Sequence, residues 1–247
     1  MNTGLSPDFH VRSPEEVTLD RLESFGFTVI QPRRGYRFSV DALLLADFAR
    51  FRRRDMVMEL GTGCGIIAMI IAARHPSIRV TGIEIQARLA EIARENVRLN
   101  GLEEQIDILE GNIDRIRDFF RAGSFDHVVS NPPFRNPDAG RLCINSQEAV
   151  ARHEIFTDMS RILSAARYLL HPGGRVSLIY SAERAASALA RMHLNRLEPK
   201  RLRMIHPTHG EPARMFLVEG CRDAGEEISI ETPVFLDRWK GLSRRKS

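Results

Sequence analysis

The sequence predicts an α/β fold: a mostly parallel sheet of seven strands, ending in an antiparallel hairpin and preceded by a short cap. Three observations carry the prediction. From Met56 onward, short β-branched runs alternate with amphipathic segments, the pattern of strands joined by crossover helices. The first run ends in a glycine-rich turn, Glu59-Leu60-Gly61-Thr62-Gly63-Cys64-Gly65. The last two runs are separated only by a short link containing Gly210-Glu211-Pro212.

The elements follow in order. Met56 to Leu60 reads as a strand and Cys64 to Arg74 as a helix apolar almost all round, hence buried, with Pro76 beyond its end. Arg79 to Glu84 is the second strand. Gln86 to Asn100 is an amphipathic helix closed by Asn100-Gly101, and Ile106 to Leu109 is the third strand. Phe125 to Ser130 is the fourth, and it runs into Asn131-Pro132-Pro133, where proline cannot supply the next ladder donor. Thr157 to Leu170 reads as a helix, His171 to Gly174 as a turn, Arg175 to Tyr180 as the fifth strand and Ala182 to Leu194 as a helix. Leu202 to Ile205 and Met215 to Glu219 form the closing pair. Ahead of all this, Thr28 to Gln31 and Tyr36 to Ser39 predict a hairpin, and Asp41 to Phe51 an amphipathic helix. The expected organisation is a cap over residues 1–54, a core domain over 55–236 and a basic tail over 237–247.

Composition narrows the class. With 43% hydrophobic and 28% charged residues in 247, the chain is an ordinary globular one. No apolar run approaches the roughly 20 residues of a membrane span, and the start lacks a basic-then-apolar leader pattern, so a cytoplasmic protein is expected. Cys64, Cys143 and Cys221 form no Cys-x-x-Cys pair, and His206 and His209 flank a proline without a second ligand pair; no metal is expected. The charge is unevenly placed. Seven arginines lie between Arg33 and Arg54 against two aspartates, four bases between Arg196 and Arg203 against Glu198, and five bases from Asp237 onward against that one acid. Clusters of this kind suit a polyanion.

Gly61, Gly63 and Gly65, between a strand and a helix, let the backbone approach a ligand closely. A dinucleotide fingerprint is G-x-G-x-x-G, whereas the spacing here is G-x-G-x-G. Glu59, just before the turn, suits the ammonium of an amino-acid ligand, or else caps the next helix. Glu84, at the end of the second strand, is placed to accept two ribose hydroxyls. An amino acid at one end and a nucleoside at the other describes S-adenosylmethionine (SAM). Glu59 to Gly65, Glu84 and Asn131-Pro132-Pro133-Phe134 resemble the core motifs of class I SAM-dependent methyltransferases, which have a Rossmann-like fold. Arg34 to Ala46 (RGYRFSVDALLLA), the NPPF motif, and the segment from His206-Pro207 through Arg214 to Gly220 resemble the tRNA1(Val) adenine-N6 methyltransferases in particular. The resemblance implies that Phe38, Ser39 and Asp41 lie over the methionine end of SAM, that Ile85 packs on its adenine, and that Asn112 and Ile113 border the adenine edge, with Thr62 in the turn.

Asn131, Pro132, Pro133 and Phe134 carry the expected catalysis. An adenine amine is a poor nucleophile because its lone pair is delocalised into the ring. The Asn131 side-chain oxygen and the Pro132 carbonyl can each accept one N–H and stabilise charge developing on nitrogen. Pro133 fixes that carbonyl, and Phe134 offers a face for base stacking. Because methyl transfer is in-line, positioning supplies most of the rate. A base within a helix is unreachable, so the target sits in a loop or is flipped out, and basic side chains, Arg33, Arg34, Arg201 and Arg203 among them, hold phosphates. The same clamp also suits guanine N2 in ribosomal RNA, adenine in DNA or a protein glutamine amide. A SAM- or RNA-binding module without turnover is the non-enzymatic alternative.

Overall fold

The computed structural model describes residues 16–35, 37–132 and 159–241. Two antiparallel strands, β1 (Val17–Leu22) and β2 (Phe27–Pro32), come first, followed by helix α1 (Val40–Phe48). The central sheet holds β3 (Met56–Leu60), β4 (Arg79–Glu84), β5 (Ile106–Glu110), β6 (Phe125–Ser130), β7 (Leu170–Ser181), β8 (Leu197–His206) and β9 (Met215–Arg222). Helices α2 (Ile66–Arg74), α3 (Ala87–Leu99), α4 (Ile116–Phe119), α5 (Met159–Leu169) and α6 (Ala185–Leu194) make the connections.

The sheet order is β8-β9-β7-β6-β3-β4-β5, with β5, β4, β3, β6 and β7 parallel and β9 antiparallel to both β7 and β8. Two further strands of two residues, β10 (Ser229–Ile230) and β11 (Val234–Phe235), pair with β8, so the sheet has nine strands rather than the seven expected. Stretches this short carry no readable alternation.

α2 is buried from Ile66 to Ala72, as its unbroken apolar run requires, and each of its isoleucines contributes about 2 kcal/mol by leaving water. It lies in one core cluster with α1 and with Val29 and Ile30 of β2. The other face of the sheet packs on α5 and α6 through Leu163, Leu169, Ala188 and Met192.

Two expectations need correction. The hairpin pairs β2 with β1, not with residues 37–39: Val17 faces Pro32 and Leu22 faces Phe27 across a turn completed by Gly26 at φ +68°. Tyr36 lies outside the described residues, and 37–39 run without strand pairing into α1, where Ser39 is the N-cap and its hydroxyl accepts from the Asp41 amide. Serine at that place satisfies a free helix amide, which a strand would not need. The expected turn at His171–Gly174 is instead a bulge inside β7: pairing with β6 jumps from Leu170 opposite Phe125 to Arg175 opposite His127.

Candidate active site

β3 lies first in the parallel set, with β4 and β5 on one side and β6 and β7 on the other. The strand order therefore reverses between β3 and β6, where ligands of open α/β sheets bind, beyond the carboxyl ends. Leu60 pairs with Ser130 across that point, and the Ser130 hydroxyl donates to the Leu60 carbonyl at 2.8 Å. The next residues on the two strands, Gly61 and Asn131, thus emerge side by side. Asn131 is half-buried, Pro132 is buried, and the Asn131 amide makes no hydrogen bond with any described residue. Pro133 and Phe134 lie outside the described residues.

The glycine turn is held from within. Gly61 and Thr62 amides both donate to the Ile83 carbonyl at 2.9 and 3.0 Å, and the Gly65 amide to Thr62 at 2.9 Å. The Gly63 amide donates to Glu84 Oε2 at 2.9 Å. The four amides that a phosphate nest would present are already engaged. The N-terminus of α2 is also filled by a carboxylate of the protein itself: Glu59 Oε2 accepts the Ala68 amide at 3.0 Å and the Thr62 hydroxyl at 2.7 Å. A pyrophosphate would meet an acid there instead of free donors. What the glycines provide is room. Gly61, at φ +74°, has no atom within 4 Å of where a Cβ would stand.

Glu59 and Glu84 lie together at this end of the sheet and Asp41 stands in the first turn of α1, and none of the three has a basic partner among the described residues. Glu59 is only 1% exposed, and burial pushes its carboxyl up from 4.5 to about 8, with Glu84 adding repulsion. Burial likewise raises Glu84, whose two oxygens accept from Gly63 and Gln86, and Asp41 at the start of α1. Desolvated acids without counter-charges mark a site for a cation. Phe38 packs on the core, its amide held by Gln31 Oε1 at 2.9 Å. Ile85 is 45% exposed, open for a large apolar side chain. On the far side of β4, the Gly111 amide donates to the Glu84 carbonyl, which brings Asn112 and the half-buried Ile113 beside Glu84. The Asn112 side chain caps the turn that follows by accepting the Asp114 amide at 2.9 Å.

With its turn amides engaged internally, this geometry does not offer the open phosphate nest of a dinucleotide site, and a model of the methyltransferase small domain matches residues 39–200. The chain belongs to the methyltransferase small domain family. A tRNA1(Val) (adenine(37)-N6)-methyltransferase of Phocaeicola vulgatus is 31% identical over 224 residues, covering 88% of this chain and 93% of that protein. One from Vibrio vulnificus is 25% identical over 193 residues, 78% of this chain and 79% of its own. Among solved structures, a predicted O-methyltransferase of Agrobacterium tumefaciens matches with a TM-score of 0.63 at 24% identity, over 79% of this chain and 86% of that one. Geranyl diphosphate C-methyltransferase of Streptomyces coelicolor, crystallised with S-adenosyl-L-homocysteine, matches at 0.54 and 15% identity, over 74% and 78%. These two likenesses establish the class I methyltransferase fold.

In this methyltransferase the basic clusters divide in a way their sequence positions hide. α1 runs from the active-site end of the sheet to the start of β3, so the arginine-rich run is split between two ends of the molecule. Arg33, Arg34 and Arg37 stand at the site end, where Arg37 is close enough to act electrostatically on the Cys64 thiol. Arg50, Arg52, Arg53 and Arg54 stand at the opposite end. Arg37 is also partly neutralised, pairing with Asp20 at 2.8 Å.

Arg201 and Arg203, expected on an RNA-facing surface, are structural. Arg201 is 8% exposed, lies over the Phe48 ring at 4.3 Å, and pairs with Glu231 at 2.7 Å and Glu219 at 3.1 Å. Arg203 pairs with Glu231 at 2.5 Å. A residue that sequence reading overlooked is Asn96, buried between α3, β2 and the glycine turn. Its available signal was two asparagines, Asn96 and Asn100, one turn apart at the end of an otherwise well-patterned helix, where asparagine is a poor helix former.

Proposed function

We propose that this protein transfers a methyl group from SAM to the exocyclic N6 amine of an adenine in the anticodon-loop region of a tRNA, in the cytoplasm. The observation that carries the reading is the emergence of Asn131-Pro132 beside Gly61 at the switch point, in a chain whose relatives are tRNA1(Val) (adenine(37)-N6)-methyltransferases.

The residues fit the donor. The unpaired carboxylates of Glu59 and Asp41 suit a ligand with an ammonium and a sulfonium. Each Glu84 oxygen keeps a free lone pair for a ribose hydroxyl after accepting its backbone amide. Ile85 offers an apolar face to adenine, with Asn112 and Ile113 at its edge; Phe38 and Ser39 close the other end. SAM supplies an activated methyl carbon on sulfur. The chain's part is to hold the amine: the Asn131 oxygen and the Pro132 carbonyl accept its two N–H groups, and Phe134 stacks on the base. As charge grows on nitrogen these acceptors strengthen, and the methylated amine, now strongly acidic, releases its proton without a dedicated base. Arg33 and Arg34, exposed at the same end, serve the flanking phosphates.

Incubating the protein with SAM labelled in the methyl group and total tRNA tests this. Label is expected in tRNA. Label that enters only protein would favour a glutamine amide, and no transfer to any acceptor would leave a binding module.

A further inference from the structure

We propose that Asn96 is a positioning residue that sets the shape of the glycine turn and couples it to the N-terminal hairpin; the inference rests on the SAM site described above. Asn96 is fully buried. Its Nδ2 donates to the Ile30 carbonyl at 2.9 Å and to the Cys64 carbonyl at 2.8 Å, and its Oδ1 accepts the Ile30 amide at 2.7 Å. One helical turn on, Asn100 repeats half of the pattern. Its Oδ1 accepts the Thr28 amide at 3.1 Å, and its Nδ2 donates to the Thr28 carbonyl at 2.8 Å and to the Asn96 carbonyl at 2.7 Å. The two side-chain amides together stand in for a strand along the edge of β2 that β1 leaves unpaired.

Only Asn96 reaches the turn. The Cys64 carbonyl it holds belongs to the same peptide unit as the Gly65 amide, which donates to Thr62, so that unit is fixed at both ends. Gly65 itself, at φ +83°, is pressed against Ala93 of α3, whose Cβ stands 3.3 Å from where a glycine Cβ would be. The turn is therefore clamped from behind by α3 while its open side, at Gly61, faces the site. The hairpin carries the connection onward: next to Ile30, Gln31 holds the Phe38 amide. Cys64, Asn96, Ile30, Gln31 and Phe38 thus form one continuous path between the turn and the segment at the methionine end of the donor site. Removing Asn96 frees the Cys64 peptide and cuts that path; removing Asn100 loosens the hairpin alone.

The test compares Asn96→Ala, Asn100→Ala and the unaltered protein for thermal midpoint, S-adenosyl-L-homocysteine Kd by calorimetry, and KM for SAM against kcat. Both variants are expected to lower the midpoint. Asn96→Ala should raise Kd and KM by about tenfold, the worth of one buried hydrogen bond, with kcat at saturation within about twofold. Asn100→Ala should leave Kd within about twofold. Equal Kd values in the two variants at equal loss of midpoint would overturn the proposal. If Asn96→Ala fails to fold, hydrogen exchange in the unaltered protein decides: ligand should slow the Ile30 amide more than the Thr28 amide, and equal slowing overturns the coupling. An unaltered protein that binds no S-adenosyl-L-homocysteine would instead refute the site reading itself.

Discussion

Glu59→Gln separates what Glu59 does for the fold from what it does for the ligand. Both hydrogen bonds to Glu59 fall on Oε2, so a glutamine can present its single oxygen to Thr62 and Ala68 and place its amide nitrogen where Oε1 stood. Burial lifts the carboxyl from 4.5 to about 8. At about 1.4 kcal/mol per unit, ionising it inside the empty fold costs up to about 5 kcal/mol. Because the folded value is raised, the folded state holds the proton more tightly than the unfolded chain. The stabilisation is fully present below about 4.5, is lost as pH rises toward 8, and changes no further beyond. A ligand ammonium beside the carboxylate favours the ionised form, so binding expels the proton and affinity climbs with pH, by at most about tenfold per unit, until it levels near 8. Thermal denaturation and calorimetry with S-adenosyl-L-homocysteine across pH 6 to 8 read both effects. The glutamine variant should show a flatter stability profile, a higher midpoint at the alkaline end, and weaker, pH-independent binding. Glutamine binding as tightly as glutamate at the upper limit of that range would refute the argument that this acid serves a cation.

Asn131→Ala should keep S-adenosyl-L-homocysteine affinity within about twofold while kcat falls by about a hundredfold or more, in line with loss of one preorganised acceptor; steady-state kinetics with tRNA checks it. Arg201→Ala leaves the buried Glu219 without its cation, while Glu231 keeps Arg203 and Arg50, and denaturant melts should show a loss of about 3 kcal/mol, the lower end for a broken buried pair. Replacing Arg33 and Arg34 with alanine should weaken tRNA binding and reduce the slope of log affinity against log salt by about 2, with no change in melting midpoint.

The sheet was legible because β-branched runs and the glycine turn are local signals: the strands from Met56 to Ser130 lay close to where their patterns put them, whereas β7 and β8 each begin five residues ahead of the expected start, at Leu170 and Leu197. The strand end at Asn131 was legible for a similar reason, since two prolines end a ladder by covalent structure alone. β1 was not: in Val17 to Leu22 (VTLDRL) the alternation breaks at Asp20-Arg21, and its pairing among the described residues is with β2, so nothing in its local pattern outweighed the Pro-Arg-Arg-Gly turn that follows β2. Charge counting misassigned Arg201 and Arg203 because their partners come from later in the chain, Glu219 opposite Arg201 on the neighbouring β9 and Glu231 just after β10. It also merged Arg33 and Arg54, which α1 carries to opposite ends of the sheet. The internal engagement of the glycine-turn amides, which distinguishes this site from a dinucleotide site, exists only once Ile83 and Glu84 are brought alongside.

The most direct measurement is mass spectrometry of nucleosides from purified tRNA of cells with and without this protein, the deficient tRNA then being incubated with the purified enzyme and SAM. N6-methyladenosine should be lost from the deficient cells and restored by the enzyme. An unchanged N6-methyladenosine content, or the loss of a different methylated nucleoside, would contradict the account.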